Sequence, residues 1–191
     1  NVLDLGTPSD GTVTNAKLAQ DIISGETALT SAPADTDEFL VSDAGTLKRI
    51  DYSLIKASNT PAFSVKSNGA KTIATATITK LEWGTETFDS DSAFASHKFT
   101  VPSGGDGKYF FYASWQTSLS TDFNEMRIYF YVNGSASDPN IQGFHDHYGS
   151  IQASRILDLD ASDYVEVYAY QNTGSNLDTL NTEIFQGFKL V

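Results

Sequence analysis

Three histidines and a scatter of acids are the residues here with chemistry to offer. His145-Asp146-His147 sets two imidazoles on one face of an extended strand, a spacing that some metal sites use. A third ligand must then come from elsewhere, and no His-x-x-Glu-His type motif supplies it, so an exposed polar loop is the simpler reading and no metal is expected. Asp158-Leu159-Asp160-Ala161-Ser162-Asp163 places acids at the first, third and sixth positions. A calcium loop needs Gly at the sixth and a bidentate Glu at the twelfth, so strand-turn-strand fits this stretch better. No Gly-x-Ser-x-Gly elbow is present for a hydrolase nucleophile. The carboxylate pairs Asp122 with Glu125 and Glu82 with Glu86 are indistinguishable from solvated charge. Gly104-Gly105-Asp106-Gly107 lacks the Lys-Ser/Thr that a phosphate loop requires. There is no Cys, which excludes disulfides, thiolate metal sites and cysteine nucleophiles together. The expectation is a protein that is not an enzyme and carries no cofactor.

Binding chemistry is better represented. The segments 118–125, 135–150 and 172–182 mix Asp, Asn, Ser and Thr with rings, and they are expected to be outer loops. Within them Phe144, His145, His147 and Tyr148 form the candidate ligand-binding group: rings to stack on a sugar face, polar atoms to bond its hydroxyls. The charge balance narrows the partners. The 191 residues hold 12 Lys+Arg against 24 Asp+Glu, a net charge of -12, with no basic run to offset it. Nucleic-acid affinity rests on clustered cations that displace counterions, so no nucleic-acid partner is expected. Apolar runs are too short for a membrane-spanning helix, and no membrane insertion is expected. The chain starts at Asn1 with no signal-like stretch after it, which suggests a trimmed fragment or the ordered part of a longer polypeptide.

The elements that must carry these residues fall into two parts. In residues 61–191 apolar positions alternate between turn signals, the pattern of half-buried strands. Tyr109, Phe111 and Ala113 alternate with Phe110, Tyr112 and Ser114; Ile128, Phe130 and Val132 alternate with Arg127, Tyr129 and Tyr131 before the hairpin turn Asn133-Gly134. Val165, Val167 and Ala169 alternate with Tyr164, Glu166, Tyr168 and Tyr170. Residues 156–159 and 184–190 add two strands, and 62–66, 72–83 and 97–101 add weaker ones. The pattern predicts an all-β sandwich of jelly-roll type. The outward face of a lone sandwich should be polar, yet several of these strands carry rings on both faces. Tyrosine suits a surface that is buried with one wet end, so Phe111, Tyr129, Tyr131 and Tyr168 are the candidate subunit-interface residues.

Residues 1–60 read as a stalk or adaptor. Residues 38–42 and 47–51 are two short strands joined through Asp43-Ala44-Gly45-Thr46, and residues 13–23 allow only a short amphipathic turn. A lone hairpin is marginal in water, so packing on other copies or other proteins is expected to order this segment.

Six pieces of residues 61–191, in order, resemble the complement globular head and its tumour-necrosis-factor-like relatives. They are Pro61-Ala62-Phe63-Ser64-Val65; Lys98-Phe99-Thr100-Val101-Pro102, with Ser96-His97 where the family turns on Gly; and Gly107-Lys108-Tyr109-Phe110-Phe111. Then come Ile128-Tyr129-Phe130-Tyr131-Val132-Asn133-Gly134; the segment 157–167, with Ser162 in place of Gly; and Phe185-Gln186-Gly187-Phe188-Lys189-Leu190. The resemblance implies a ten-stranded jelly roll that forms a compact homotrimer. The first part resembles bacteriophage virion proteins instead: Val13-Thr14-Asn15-Ala16-Lys17-Leu18-Ala19 is similar to a tile of phage fibres, and the segment 37–50 to one found just before their heads. No Gly-X-Y collagen repeat precedes the head, unlike the complement proteins.

The expectation is therefore a homotrimeric structural protein on the surface of a tailed-phage virion. Residues 1–60 attach to other virion proteins, and a jelly-roll knob over 61–191 mediates attachment to a host-surface glycan or protein. Two alternatives stand beside this tail-fibre reading: a capsid decoration protein that stabilises the head, and a secreted adhesive or recognition head of complement type.

Overall fold

The computed structural model describes Gly6 and residues 23–56, 58–118, 123–137, 140–144 and 148–190, with 118, 123, 124, 140–144 and 148 described by their backbone alone. They divide between two compact units that meet after Lys56.

In the first unit, β1 (Glu38–Asp43) pairs antiparallel with β2 (Thr46–Asp51). Ala44 (φ 49°) and Gly45 (φ 86°) form the two-residue connection, both left-handed as the favoured hairpin turn requires. A 3-10 turn, Tyr52–Leu54, follows, and the Tyr52 N–H donates to the Asp37 carbonyl over 2.8 Å. Ion pairs Arg49–Glu38 (2.5 Å), Lys56–Asp35 (2.5 Å) and Lys48–Asp43 decorate the unit. Its apolar side chains stay exposed: Leu40, Leu47 and Leu54 keep 76%, 69% and 74% of their surface.

The second unit is a sandwich. Its strands, in order, are β3 (Ala62–Lys66), β4 (Thr72–Ile73), β5 (Thr79–Lys80), β6 (Thr85–Asp89), β7 (Phe94–Ala95), β8 (Lys98–Thr100) and β9 (Gly107–Ser118), then β10 (Phe123–Val132), β11 (Ser135–Ala136), β12 (Asn140–Phe144), β13 (Tyr148–Leu159), β14 (Tyr164–Gln171), β15 (Leu177–Asp178) and β16 (Ile184–Lys189). One sheet has the order β13-β9-β16-β3-β6. The other runs β11-β10-β14-β8-β7, with β12 also on β10 and β5 also on β14. β15 pairs with β4 apart from both. This is the jelly-roll sandwich that the alternation predicts; five two-residue strands raise the count above ten.

The core lies where the two inner faces meet, and the alternation explains its membership. Tyr109, Phe111, Ala113 and Trp115 of β9 point inward, as do Met126, Ile128 and Phe130 of β10 and Val165, Val167 and Ala169 of β14. Phe63 is their hub, with ring centroids 5.0 Å from Phe99 and 4.9 Å from Phe185. Two features differ from the sequence reading. Residues 135–150 are not simply loop, because β11, β12 and the start of β13 run through them. The stretch 72–83 is broken into β4 and β5, with Ala76 left-handed between them (φ 52°).

Candidate functional site

Two outward faces remain once the core is set, and they differ in chemistry. On the five-stranded sheet, cross-strand register aligns one apolar row: Ile156 of β13 faces Phe110 of β9, Phe110 faces Phe188 of β16, and Phe188 faces Ala62 of β3. Ile156 is 62% exposed, Phe188 37%, and Phe88 at the β6 edge 51%. The Phe110 and Phe188 rings sit 5.5 Å apart. Asn59, Phe88, Phe110, Gln186 and Phe188 border a shallow cavity of about 330 Å³ on this face. Elsewhere on the same sheet the Tyr112 hydroxyl donates to Gln152 Oε1 over 2.8 Å. Rings exposed in a contiguous row mark a surface that another body covers.

The seven-stranded sheet turns a different set outward. Arg127, Tyr129 and Tyr131 of β10 lie opposite Tyr170, Tyr168 and Glu166 of β14, while Lys80 of β5 flanks Tyr168 and Tyr164 sits beside Thr100 of β8. The Tyr131 and Tyr168 rings approach to 4.0 Å between centroids, and Tyr129 meets Tyr131 edge-on at 6.3 Å. Charged groups interleave with the rings. Lys80 Nζ donates to Glu166 Oε1 at 2.6 Å, and the Tyr168 hydroxyl donates to Glu166 Oε2 at 3.3 Å. The Arg127 guanidinium forks onto both Glu125 oxygens at 2.7 and 2.8 Å, donates to the Tyr129 hydroxyl at 3.2 Å, and lies 4.9 Å from the centre of the Tyr170 ring. Lys98 Nζ lies 4.1 Å over the Tyr164 ring. Burial, and after it the Glu166 carboxylate, raises the Tyr168 hydroxyl above the ordinary phenol value. The bond to Tyr129 and the Glu125 pair hold Arg127 more firmly protonated than a free guanidinium.

The residues singled out from the sequence separate accordingly. Tyr129, Tyr131 and Tyr168 come together on this outer face, with Tyr129 only 6% exposed. Phe111 does not join them. It is fully buried in the core beside Phe99 and Phe185, because parity on β9 turns 109, 111 and 113 inward; Phe110 and Tyr112 hold the outward positions, on the opposite sheet. An interface role for Phe111 is thereby corrected. Phe144 closes β12 and Tyr148 opens β13, described by backbone only, and His145 and His147 lie outside the described residues, as does the segment 13–19. His97 is engaged locally, with its Nδ1 accepting from the Trp83 N–H over 3.0 Å. Asp163 fixes the turn that its sequence suggests, accepting from Asn133 Nδ2 at 2.7 Å and from the Asp160 N–H at 2.8 Å. Sequence reasoning missed the row Ile156–Phe110–Phe188 because it forms only across three strands; the signal available was Phe188 at an outward parity beside the inward Gly187 and Phe185.

No family model matches the chain, and no curated protein matches it. Solved structures do. The globular domain of zebrafish complement 1qA is 18% identical, with a TM-score of 0.50, covering 69% of this chain and 98% of its own. Murine APRIL is 12% identical with a TM-score of 0.51, covering 68% and 98%. The Eiger tumour necrosis factor of S. frugiperda is 15% identical with a TM-score of 0.51, covering 68% and 92%. The likeness shows the fold alone: this chain has a head of the complement and tumour-necrosis-factor jelly-roll type.

Proposed function

We propose that the chain is a non-enzymatic, homotrimeric protein of a tailed-phage virion surface, whose knob serves attachment to a host surface and whose first 60 residues join it to other virion proteins. The observation that carries the self-association is the row Ile156, Phe110 and Phe188, with Ile156 and Phe188 exposed, Phe110 half-buried and exposed Phe88 beside it. Covering what Ile156, Phe88 and Phe188 still expose is worth about 0.5–2 kcal/mol each, which favours burying this face against a neighbouring copy. Tyr129, Tyr131 and Tyr168 are the weaker interface candidates, since Tyr129 is nearly buried and the Tyr129 and Tyr168 hydroxyls are already bonded within one protomer. The trimer is what the resemblance to the complement head implies, and the virion assignment rests on the fibre-like segments 13–19 and 37–50.

Immunogold labelling of particles that carry the gene tests the reading. Gold at the tail tip is the expected result. Gold spread over the capsid moves the protein to the decoration class, and unlabelled particles overturn the virion assignment altogether.

A further inference from the structure

We propose that the tyrosine face of the seven-stranded sheet binds an oligosaccharide that carries carboxylates. The inference names a ligand class for the attachment reading above and rests on it. It moves recognition from the loops around Phe144 to Tyr148 onto the sheet itself.

The geometry of the rings comes first. Tyr170, Tyr168 and Tyr164 of β14 run beside Tyr129 and Tyr131 of β10, a track of about 20 Å at the rise of an antiparallel strand. Every aromatic residue of this track is a tyrosine, whereas the opposite face carries Phe88, Phe110, Phe188 and Ile156 with the single Tyr112 among the described residues. Tyrosine joins a flat apolar ring to a polar edge, which matches a sugar: C–H groups on its faces, hydroxyls at its rim. The stacking of Tyr131 on Tyr168 holds both rings in place before any ligand arrives, so little side-chain freedom remains to be lost. Around the rings the face offers acceptors in Glu125 and Glu166 and donors in Arg127 and Lys80, each already oriented by its partner.

Charge selects the kind of sugar. The face carries three cations, Lys80, Lys98 and Arg127, against two carboxylates, Glu125 and Glu166, on a chain whose net charge is -12. Lys80 and Arg127 are matched by Glu166 and Glu125. Lys98 has no carboxylate partner among the described residues and lies over Tyr164, at the end of the track. A carboxylate at that end pairs with Lys98 while the sugar rings continue toward Tyr131, Tyr168 and Tyr170. A peptide partner is a poorer match, since charged groups interleave with the rings along the face.

The test uses the full chain on an array of acidic and neutral bacterial polysaccharides, followed by calorimetric titration with galacturonic-acid hexamers and with neutral galactose hexamers as comparators. Binding confined to the acidic sugars is expected. Lys98→Ala should weaken it about tenfold and added salt should weaken it further; Tyr131→Ala and Tyr168→Ala should remove it with the circular dichroism spectrum and the oligomeric mass unchanged. His145→Ala with His147→Ala should leave it intact. The inference is overturned by an array without acidic hits, by binding indifferent to Lys98→Ala, by loss in the His145/His147 variant, or by a fall in oligomeric mass on Tyr131→Ala, which would make the face a subunit contact. Because particle labelling is scored independently, the attachment reading can survive the failure of this one.

Discussion

Gly187 sits where β16 passes close to β9. A Cβ built there would lie 2.6 Å from Phe111 Cδ1 and 2.8 Å from the Phe110 carbonyl oxygen, and neither can retreat inside a packed sandwich. Gly187→Ala should therefore cost about 1–3 kcal/mol, read as a lowered midpoint in urea. Ser162 shows the opposite situation. It occupies a left-handed turn (φ 76°) that Gly adopts without strain, and its N–H donates to the Val101 carbonyl over 2.9 Å. Ser162→Gly should relieve about 1 kcal/mol of backbone strain and raise the melting temperature by about 2–4 °C. Asp163, in the same turn, has its carboxyl held below the usual carboxylate range, first by Asn133 and then by the Asp160 N–H. A group more acidic folded than unfolded adds stability above its unfolded pKa and loses that contribution as pH falls through the folded one. Melts of the native chain should thus decline more steeply below about pH 4 than those of Asp163→Asn; parallel profiles would remove Asp163 from the acid response.

At the scale of elements, the legible strands were those whose alternation is strong and whose two faces differ. β3, β10, β14 and β16 follow from Phe63/Val65, Ile128/Phe130, Val165/Val167 and Phe185 alone, and the left-handed pair Asn133 (φ 51°) and Gly134 (φ 77°) makes the turn that Asn-Gly announces. The first half of β13 was not legible: in Tyr148–Arg155 only Ile151 and Ala153 mark the buried side, and long-range pairing with β9 supplies what local pattern does not. β6 was missed because an edge strand with exposed Thr85–Phe88 has no inward apolar set to betray it. Of the candidate site, the tyrosine cluster could be read from parity, but the partition between opposite sheets could not; Phe111 was assigned to the interface although its parity with Tyr109 and Ala113 turns it into the core. The β1–β2 hairpin is the element with least internal support, since Leu40, Leu47 and Leu54 face solvent and two strands alone are marginal. Residues 1–60 expressed alone should give a coil-like circular dichroism spectrum without a cooperative thermal transition; a sharp melt would establish a self-sufficient domain.

For the whole molecule, we propose different work for the two faces of the sandwich: self-association for the phenylalanine row, a ligand for the tyrosine track. That division follows from what each face leaves unsatisfied within one protomer. Ile156, Phe188 and Phe88 have exposed apolar surface and nothing to cover it among the described residues. Tyr129 and Tyr168 have their hydroxyls bonded within the protomer, and Tyr131, Tyr164, Tyr168 and Tyr170 are only half-buried. The most direct measurement is sedimentation equilibrium of the full chain at micromolar concentration, run beside Phe188→Asp. The account predicts the mass of three chains for the native protein and the mass of one for the variant, with the fold of each intact by circular dichroism. A native chain that sediments as a monomer, or a Phe188→Asp chain that remains trimeric, would contradict it.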